Sequence, residues 1–178
     1  WGKGDLASPF FIIDKIMKYD IDKILEEIAT LPKKENINFI TLQSWTEDKD
    51  LWDPFDIPSK NLGVKPDIDY TIKMFDVPYI NSIIDELKLY KTRITTLNPR
   101  ECYTWHRDLF PRVHIPVVSD TFKCFMIVQS RFNPNDPGEI HRMPVGESYY
   151  IDTTKHHTAI NGGTEDRIHL MGTVKEPC

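Results

Sequence analysis

Apolar positions in the first half of the chain recur at helical spacing in two segments. A first helix is expected between Asp20, a favoured N-cap, and Pro32, which cannot continue a helix. A second is expected from Pro78, because proline suits the first helical turn. The apolar faces consist of Ile21, Ile24, Leu25, Ile28 and Leu31 in the first helix, and of Ile80, Ile83, Ile84 and Leu87 in the second.

The segment between these helices is rich in aromatic residues and prolines. It contains Trp45, Trp52 and Phe55 together with Pro54, Pro58 and Pro66. We interpret it as a long ordered loop, preceded by a strand near Asn38–Leu42, of the kind that often covers a site.

From Lys91 onward the pattern changes to short extended runs separated by turn signals such as Asn161-Gly162-Gly163. Seven or eight short strands with polar turns predict a mainly β fold of jelly-roll type, with the helices flanking one sheet. The runs are Arg93–Leu97, Cys102–Asp108, Arg112–Val118, Phe122–Gln129, Ile140–Met143, Ser148–Ile151, Thr158–Asn161 and Arg167–Val174.

Length and composition are those of one ordinary globular domain: 178 residues, 40% hydrophobic and 28% charged. The net charge of −5 argues against nucleic acid as a partner. Three cysteines without a close pair indicate a reducing compartment. With no run of 18 apolar residues and no signal peptide pattern, we expect a cytoplasmic protein that has no membrane partner.

The strongest candidate chemistry lies in His106-Arg107-Asp108. On a strand, residues two apart project from the same face, about 6.6 Å apart along the backbone, which suits two ligands of one ion. A distal histidine would complete the two-histidine, one-carboxylate set of non-haem Fe(II) oxygenases. His156 and His157 would face opposite sides of a strand, and we prefer His157 as that ligand. The alternative is a strand-end histidine beside a solvated aspartate.

Two further strands carry the pattern arginine-x-histidine: Arg112 with His114, and Arg167 with His169. Each pair shares one face of its strand and has apolar residues on the other face. Two such strands predict a polar interior pocket for an anion, because the planar guanidinium pairs well with a carboxylate where water is excluded. A dicarboxylate such as 2-oxoglutarate would suit this predicted pocket. The alternative is that these residues face solvent.

Taken in order, these segments resemble the aspartyl/asparaginyl β-hydroxylase family, a branch of the Fe(II)- and 2-oxoglutarate-dependent oxygenases. The resemblance covers roughly residues 95–174 and is carried by order and spacing. The matching segments are Thr104–Asp108, Pro111–Val117, Gly146–Asp152, His157–Asn161 and Arg167–Leu170. It implies a double-stranded β-helix (cupin-like jelly roll) core. Together with the chain length and the helices expected in the first half, this predicts one oxygenase domain over 1–178, with helical support about 1–90 and the β core about 91–175.

Carried over residue by residue, the resemblance makes His106 and His157 the iron-binding histidines and Asp108 the carboxylate ligand. It implies that Arg167, helped by His114, binds the tail carboxylate of 2-oxoglutarate, and that Arg112 lines the co-substrate pocket. His169 stands where other members often have an aliphatic residue, so it is given no catalytic role.

The implied cofactors are Fe(II), 2-oxoglutarate as co-substrate and O2. The implied reaction is hydroxylation of a C–H bond in a protein side chain of Asp/Asn type or in an amino acid derivative, with release of succinate and CO2. The substrate would be a peptide, a protein or a small molecule. A competing hypothesis is a non-catalytic cupin-like module that binds a metal or a carboxylate. A third is a nucleic-acid base hydroxylase, which the acidic net charge disfavours.

Overall fold

The computed structural model of the chain describes residues 17–35, 37–47, 51–52, 66–129 and 135–175. Most of the loop predicted between Trp45 and Pro66 lies outside the described residues. None of the helices in the described ranges combines the length and the apolar character needed to cross a membrane.

Both predicted helices are confirmed. Helix α1 (Ile21–Thr30) begins after Asp20, whose side chain accepts a hydrogen bond from the Lys23 backbone N–H, and ends before Pro32. Helix α2 (Pro78–Glu86) begins at Pro78 and buries Ile80, Ile83 and Ile84. The Glu27 carboxylate on α1 accepts hydrogen bonds from the Tyr79 and Ile80 backbone N–H groups at 2.7 and 2.8 Å. It satisfies two of the free donors at the start of α2 and ties the helices together.

The other regular elements of the described fold are a short 3-10 helix (Asp67–Asp69) and antiparallel strands. The strands are β1 (Phe39–Thr41), β2 (Gln43–Ser44), β3 (Ile72–Lys73), β4 (Tyr90–Leu97), β5 (Glu101–Cys102), β6 (Arg112–Val118), β7 (Cys124–Gln129), β8 (Glu139–His141), β9 (Tyr149–Ile151), β10 (His156–Asn161) and β11 (Arg167–Thr173). The order β1-β4-β11-β6-β9 forms a five-stranded sheet, β5-β10-β7-β8 a four-stranded sheet and β2-β3 a small separate pair. The protein is therefore mainly β, a jelly roll with two flanking helices, as the sequence predicted.

The five-stranded sheet has two contrasting faces, because successive residues of a strand point to opposite sides. On one face, Ile94, Ile115 and Leu170 pack with the apolar sides of α1 and α2 in the main core. Burying each such side chain contributes about 1.5–3 kcal/mol. The other face turns towards the four-stranded sheet and carries the two arginine-x-histidine pairs. A smaller apolar cluster, including Leu97, Met126 and Ile151, lies between the two sheets.

The predicted strand Cys102–Asp108 is wrong over most of its length. Strand β5 ends at Cys102, and only His106 forms a further bridge, to His157 of β10. Cys102 opposes Ile160, so regular pairing would bring residue 105 opposite His157. The bridge at His106 shows one extra residue in this segment, as in a β-bulge. Trp105 is consequently exposed, and His106 takes the position opposite His157.

Candidate metal and anion site

His106 and His157 are brought together by backbone pairing. The N–H of each residue donates to the carbonyl of the other, at 3.1 and 2.9 Å, and the imidazole centroids are 4.3 Å apart. His157 is buried and lines the same cavity as His106, whereas the side chain of His156 is exposed. The preferred distal histidine is thus the one that the fold places beside His106.

Hydrogen bonds orient both imidazoles for coordination. His106 Nδ1 lies 2.7 Å from the Thr104 carbonyl oxygen, and His157 Nδ1 lies 3.0 Å from that of Lys155. A carbonyl oxygen can only accept, so each Nδ1 carries the proton and each Nε2 keeps a free lone pair. Burial also lowers the pKa of His157, which favours the neutral ring that a metal ion requires.

Asp108 completes the cluster. Its backbone N–H donates to the Thr153 carbonyl at 2.8 Å, and its Oδ2 lies 3.9 Å from His157 Nε2. One ligand atom from each of His106, Asp108 and His157 lies within 4.8 Å of the others. Two imidazoles and a carboxylate this close together are the donor set of a facial Fe(II) site, in which three positions stay open.

Arg112 holds Asp108 in place. Its Nε donates to Asp108 Oδ2 at 2.5 Å, and its Nη2 lies 3.7 Å from Asp67 Oδ2. Burial acts to raise the pKa of Asp108, but the charge and hydrogen bond of Arg112 outweigh it and keep the pKa below its ordinary value. Asp108 is therefore ionised at neutral pH, as a ligand must be.

Asp67 anchors the far side of this network. Its carboxylate accepts hydrogen bonds from Lys91 Nζ at 2.9 Å and from the Thr173 hydroxyl at 2.8 Å. Burial works to raise the pKa of Asp67 as well, yet Lys91 and Arg112 bring it below the ordinary value. Sequence reasoning missed Asp67, which lies on a 3-10 helix (Asp67–Asp69), and it also missed Lys91 at the start of β4.

Arg167 has no carboxylate partner among the described residues. Its Nη2 lies 3.4 Å from His169 Nδ1, which can accept a hydrogen bond. A guanidinium only donates, so the His169 proton sits on Nε2, which is buried and has no hydrogen-bond partner in the described part of the chain. Burial lowers the pKa of Arg167 to about 10, which still leaves it charged at neutral pH.

His114 lies between the two arginines. Both of its ring nitrogens are buried and lack partners within the described ranges. Burial, followed by the charges of Arg167 and Arg112, holds the pKa of His114 well below its ordinary value, so the ring is neutral. Buried polar groups without partners are costly, and a bound ligand carboxylate would satisfy the His114 N–H and the free donors of Arg167.

A cavity of about 650 Å³ contains all six residues singled out by the sequence. His106, Asp108, His157, Arg112, His114 and Arg167 line it, together with Arg93, Tyr103 and others that sequence reasoning did not assign. Arg93 had a detectable signal: a charged residue within the β-branched run of β4, the same signal that marked Arg112 in β6. Asp67 had no such signal in the sequence, because its partners are distant from it along the chain.

The fold and this cavity define a jelly-roll protein with a two-histidine, one-carboxylate cluster. The chain belongs to the aspartyl/asparaginyl β-hydroxylase family, whose sequence model matches residues 18–177. The family resemblance noted in the sequence is thereby confirmed. Membership supports a hydroxylase-type function.

The chain is similar to several solved structures, of which one from Burkholderia pseudomallei supports the fold. An oxidoreductase of the 2OG-Fe(II) oxygenase family from Burkholderia pseudomallei aligns over 85% of this chain and 77% of its own, with 11% identity and a TM-score of 0.55. AviO1 from Streptomyces viridochromogenes Tue57 aligns over 89% and 86%, with 13% identity and a TM-score of 0.45. A cupin domain from Bordetella pertussis Tohama I aligns over 48% and 81%, with 17% identity and a TM-score of 0.39. A search of curated proteins found no match.

Proposed function

We propose that this protein is an Fe(II)- and 2-oxoglutarate-dependent dioxygenase that hydroxylates a C–H bond of a protein side chain or an amino acid derivative. The observation that carries the proposal is the convergence of His106, Asp108 and His157 in one cavity with an unpaired arginine, Arg167. Bound Fe(II), with 2-oxoglutarate and O2 as co-substrates, would supply the oxidising chemistry and release succinate and CO2.

The chain's own residues divide the work of binding and orientation. His106 and His157 would donate their Nε2 lone pairs, and Asp108 a carboxylate oxygen fixed by Arg112. Arg167 would bind the tail carboxylate of 2-oxoglutarate, with His114 donating its single N–H to the same group. Arg112 Nη1 is buried without a partner among the described residues, so it too can donate to the co-substrate.

The first test measures succinate formation from 2-oxoglutarate by purified protein with Fe(II) in air. The wild type should form succinate, and His106→Ala, Asp108→Ala and His157→Ala should abolish it. His156→Ala is the matched control, because that neighbouring imidazole is exposed and should leave turnover unchanged. Wild-type turnover in the His106 and Asp108 variants would remove those residues from the ligand set.

A second measurement separates the dioxygenase from a cupin-like module that only binds a metal or a carboxylate. Without oxygen, Fe(II) and 2-oxoglutarate together should give the protein a weak visible absorption band, and admission of air should yield succinate. A binding module would show ligand binding without succinate. A peptide and amino acid panel, analysed for a mass gain of about 16 daltons, then identifies the hydroxylated substrate.

A further inference from the structure

Arg167 is a buried cation, and no carboxylate of the described residues fixes the direction of its guanidinium. The residue is only 3% exposed, and it lines the cavity. A long side chain can adopt several rotamers, and those that turn the guanidinium away from the cavity do not serve a ligand there. An anion site built on Arg167 therefore depends on a protein group that holds the guanidinium in one orientation.

His169 supplies such a group. It lies two residues after Arg167 on β11, so both side chains leave the same face of the sheet. Arg167 Nη2 lies 3.4 Å from His169 Nδ1. Because a guanidinium can only donate, the Nδ1 lone pair accepts this hydrogen bond and anchors one amino group of Arg167.

The imidazole of His169 is itself fixed by its surroundings. It is 1% exposed and lies between Thr95 of β4 and Pro116 of β6, which oppose it on the two neighbouring strands. Its ring also packs edge-on against His114, with ring centroids 5.7 Å apart and an interplanar angle of 73°. An acceptor packed on these sides cannot follow the guanidinium, so the guanidinium orients to the acceptor.

A histidine at this position carries a cost that an apolar residue would avoid. Its Nε2 is buried and has no hydrogen-bond partner within the described ranges. A buried polar group in that state lowers stability, so packing alone does not account for the imidazole. The contact between Nδ1 and Arg167 does account for it.

The acceptor is present at neutral pH, and it acts from outside the cavity. Burial, followed by the charges of Arg167 and His114, holds the pKa of His169 well below its ordinary value, so Nδ1 keeps its lone pair. The cavity is lined by Arg167 and not by His169. The imidazole therefore reaches a ligand only through the arginine.

We propose that His169 is a positioning residue, which orients the guanidinium of Arg167 and thereby strengthens the selection of a 2-oxo acid that carries a second carboxylate. The inference rests on the proposed function, since it assumes that Arg167 binds the tail carboxylate of 2-oxoglutarate. Two residues of one strand would then set the co-substrate preference together, although only one of them contacts the co-substrate.

The experiment compares 2-oxoglutarate with 2-oxopentanoate, in which a methyl group replaces the tail carboxylate. Calorimetric titration of Mn(II)-loaded protein without oxygen measures both affinities, so no turnover is required. The wild type should bind 2-oxoglutarate about tenfold or more tightly than 2-oxopentanoate, as expected for a charge-assisted hydrogen bond. Arg167→Gln should lose most of this preference, which supports the proposed function.

His169→Leu removes the acceptor and keeps a side chain of similar size. It should lower the preference for 2-oxoglutarate by about threefold or more, because one hydrogen bond that orients Arg167 is lost. Its affinity for 2-oxopentanoate should stay within about twofold of the wild type, a separation that a general loss of packing would not produce. His169→Asn should restore part of the preference, since its amide oxygen can take the place of Nδ1.

Two comparisons make the test specific to the pair. In an Arg167→Gln background, His169→Leu should change the preference by less than about twofold, because the partner of the imidazole is already gone. His141→Leu makes the same exchange at a histidine of β8 that does not line the cavity, and it should leave the preference unchanged.

The possible failures are distinguishable. A wild type that binds both acids equally would contradict the proposed role of Arg167 and the inference with it. A wild-type preference that His169→Leu keeps in full, or an equal loss with and without Arg167, would overturn the inference alone. If circular dichroism shows that His169→Leu does not fold, His169→Phe takes its place, because it keeps an aromatic ring and lacks the acceptor.

Discussion

The two arginine-x-histidine pairs look alike in sequence and lie on adjacent strands, β6 and β11, yet their arginines have different surroundings. Arg112 is bonded to Asp108 and lies near Asp67, so its charge is committed within the protein. Arg167 meets only a neutral histidine among the described residues. The same local pattern thus yields a guanidinium that positions a carboxylate on one strand and a guanidinium without a carboxylate partner among the described residues on the next.

The two residues are both arginines, so the presence or absence of a carboxylate counter-ion is what distinguishes their roles. In a buried ion pair, the attraction between the two charges offsets the free energy lost by removing them from water. If one partner is removed, the other remains buried without that compensation. Removal of a buried cation that has no counter-ion breaks no ion pair, so its substitution should affect ligand binding more than stability. The expected consequences of substitution are therefore opposite for the two arginines, and that contrast can be measured.

The largest effect is expected for Arg112→Gln. Without its cation, Asp108 and Asp67 would remain buried with less compensation, so metal-free protein should lose about 3 kcal/mol of unfolding free energy. Urea denaturation measures this loss. In an Asp108→Asn background, Arg112→Gln should lower the unfolding free energy by clearly less, because the two residues interact directly. Equal losses in both backgrounds would contradict the pairing.

The next effect is expected for Arg167→Gln, and it should appear in binding. The apparent affinity for 2-oxoglutarate should fall by roughly 10–100-fold, because a charge-assisted hydrogen bond is lost. The unfolding free energy should change by less than about 1 kcal/mol, since no internal ion pair is broken. An unchanged 2-oxoglutarate affinity would place the carboxylate site elsewhere, and the comparison would fail.

A smaller effect concerns pH. The pKa of His169 is held well below 6.5, by burial first and then by the charges of Arg167 and His114. The unfolded chain therefore takes up a proton near pH 6.5 that the folded protein does not, and stability falls as pH drops through this value. His169→Leu should reduce the stability lost between pH 7 and 5.5 by about 1 kcal/mol. Denaturation of metal-free protein at both pH values tests this, and equal losses in variant and wild type would contradict it.

The carboxylates titrate in a different range, which keeps the pH test specific. Asp67 and Asp108 have pKa values below 3.8, so the stability they contribute is present above that pH and is lost only as pH falls further. Between pH 7 and 5.5 they stay ionised in both folded and unfolded chains. Loss of stability in that interval therefore reports on buried histidines.

The smallest effect on ligand binding is expected for Thr173→Val, which removes the hydroxyl that donates to Asp67 and keeps the shape of the side chain. One hydrogen bond to a charged group is lost, so unfolding free energy should fall by about 1–2 kcal/mol. The 2-oxoglutarate affinity should stay within about twofold of the wild type, because Thr173 bonds to Asp67, the carboxylate near Arg112. A loss of 2-oxoglutarate affinity without a loss of stability would contradict the stabilising role given to the contacts around Arg112.

Local patterns predicted most of the fold. Both helices were visible in their apolar spacing and caps, and the bounds of β6 match the predicted Arg112–Val118. The three residues that cluster were also singled out in the sequence as candidate metal ligands, because His106, Asp108 and His157 occur within recognisable segments.

What escaped prediction depends on contacts between distant segments. Asp67 bonds to Thr173 across 106 positions of sequence, and no local pattern marks a residue whose partners are that remote. The extra residue before His106 was also missed, because alternation alone implied a continuous strand from Cys102 to Asp108. The paired strands β2 and β3 are only two residues each, too short for a periodic signal.

The surplus residue between Cys102 and His106 makes the length of this segment matter more than its composition. Exchanges at Thr104 or Trp105 would keep the count, and an imidazole would still oppose His157. Deletion of one residue would restore regular pairing and turn the indole of Trp105 inward in its place. The connection should therefore accept many different amino acids and reject any change in their number.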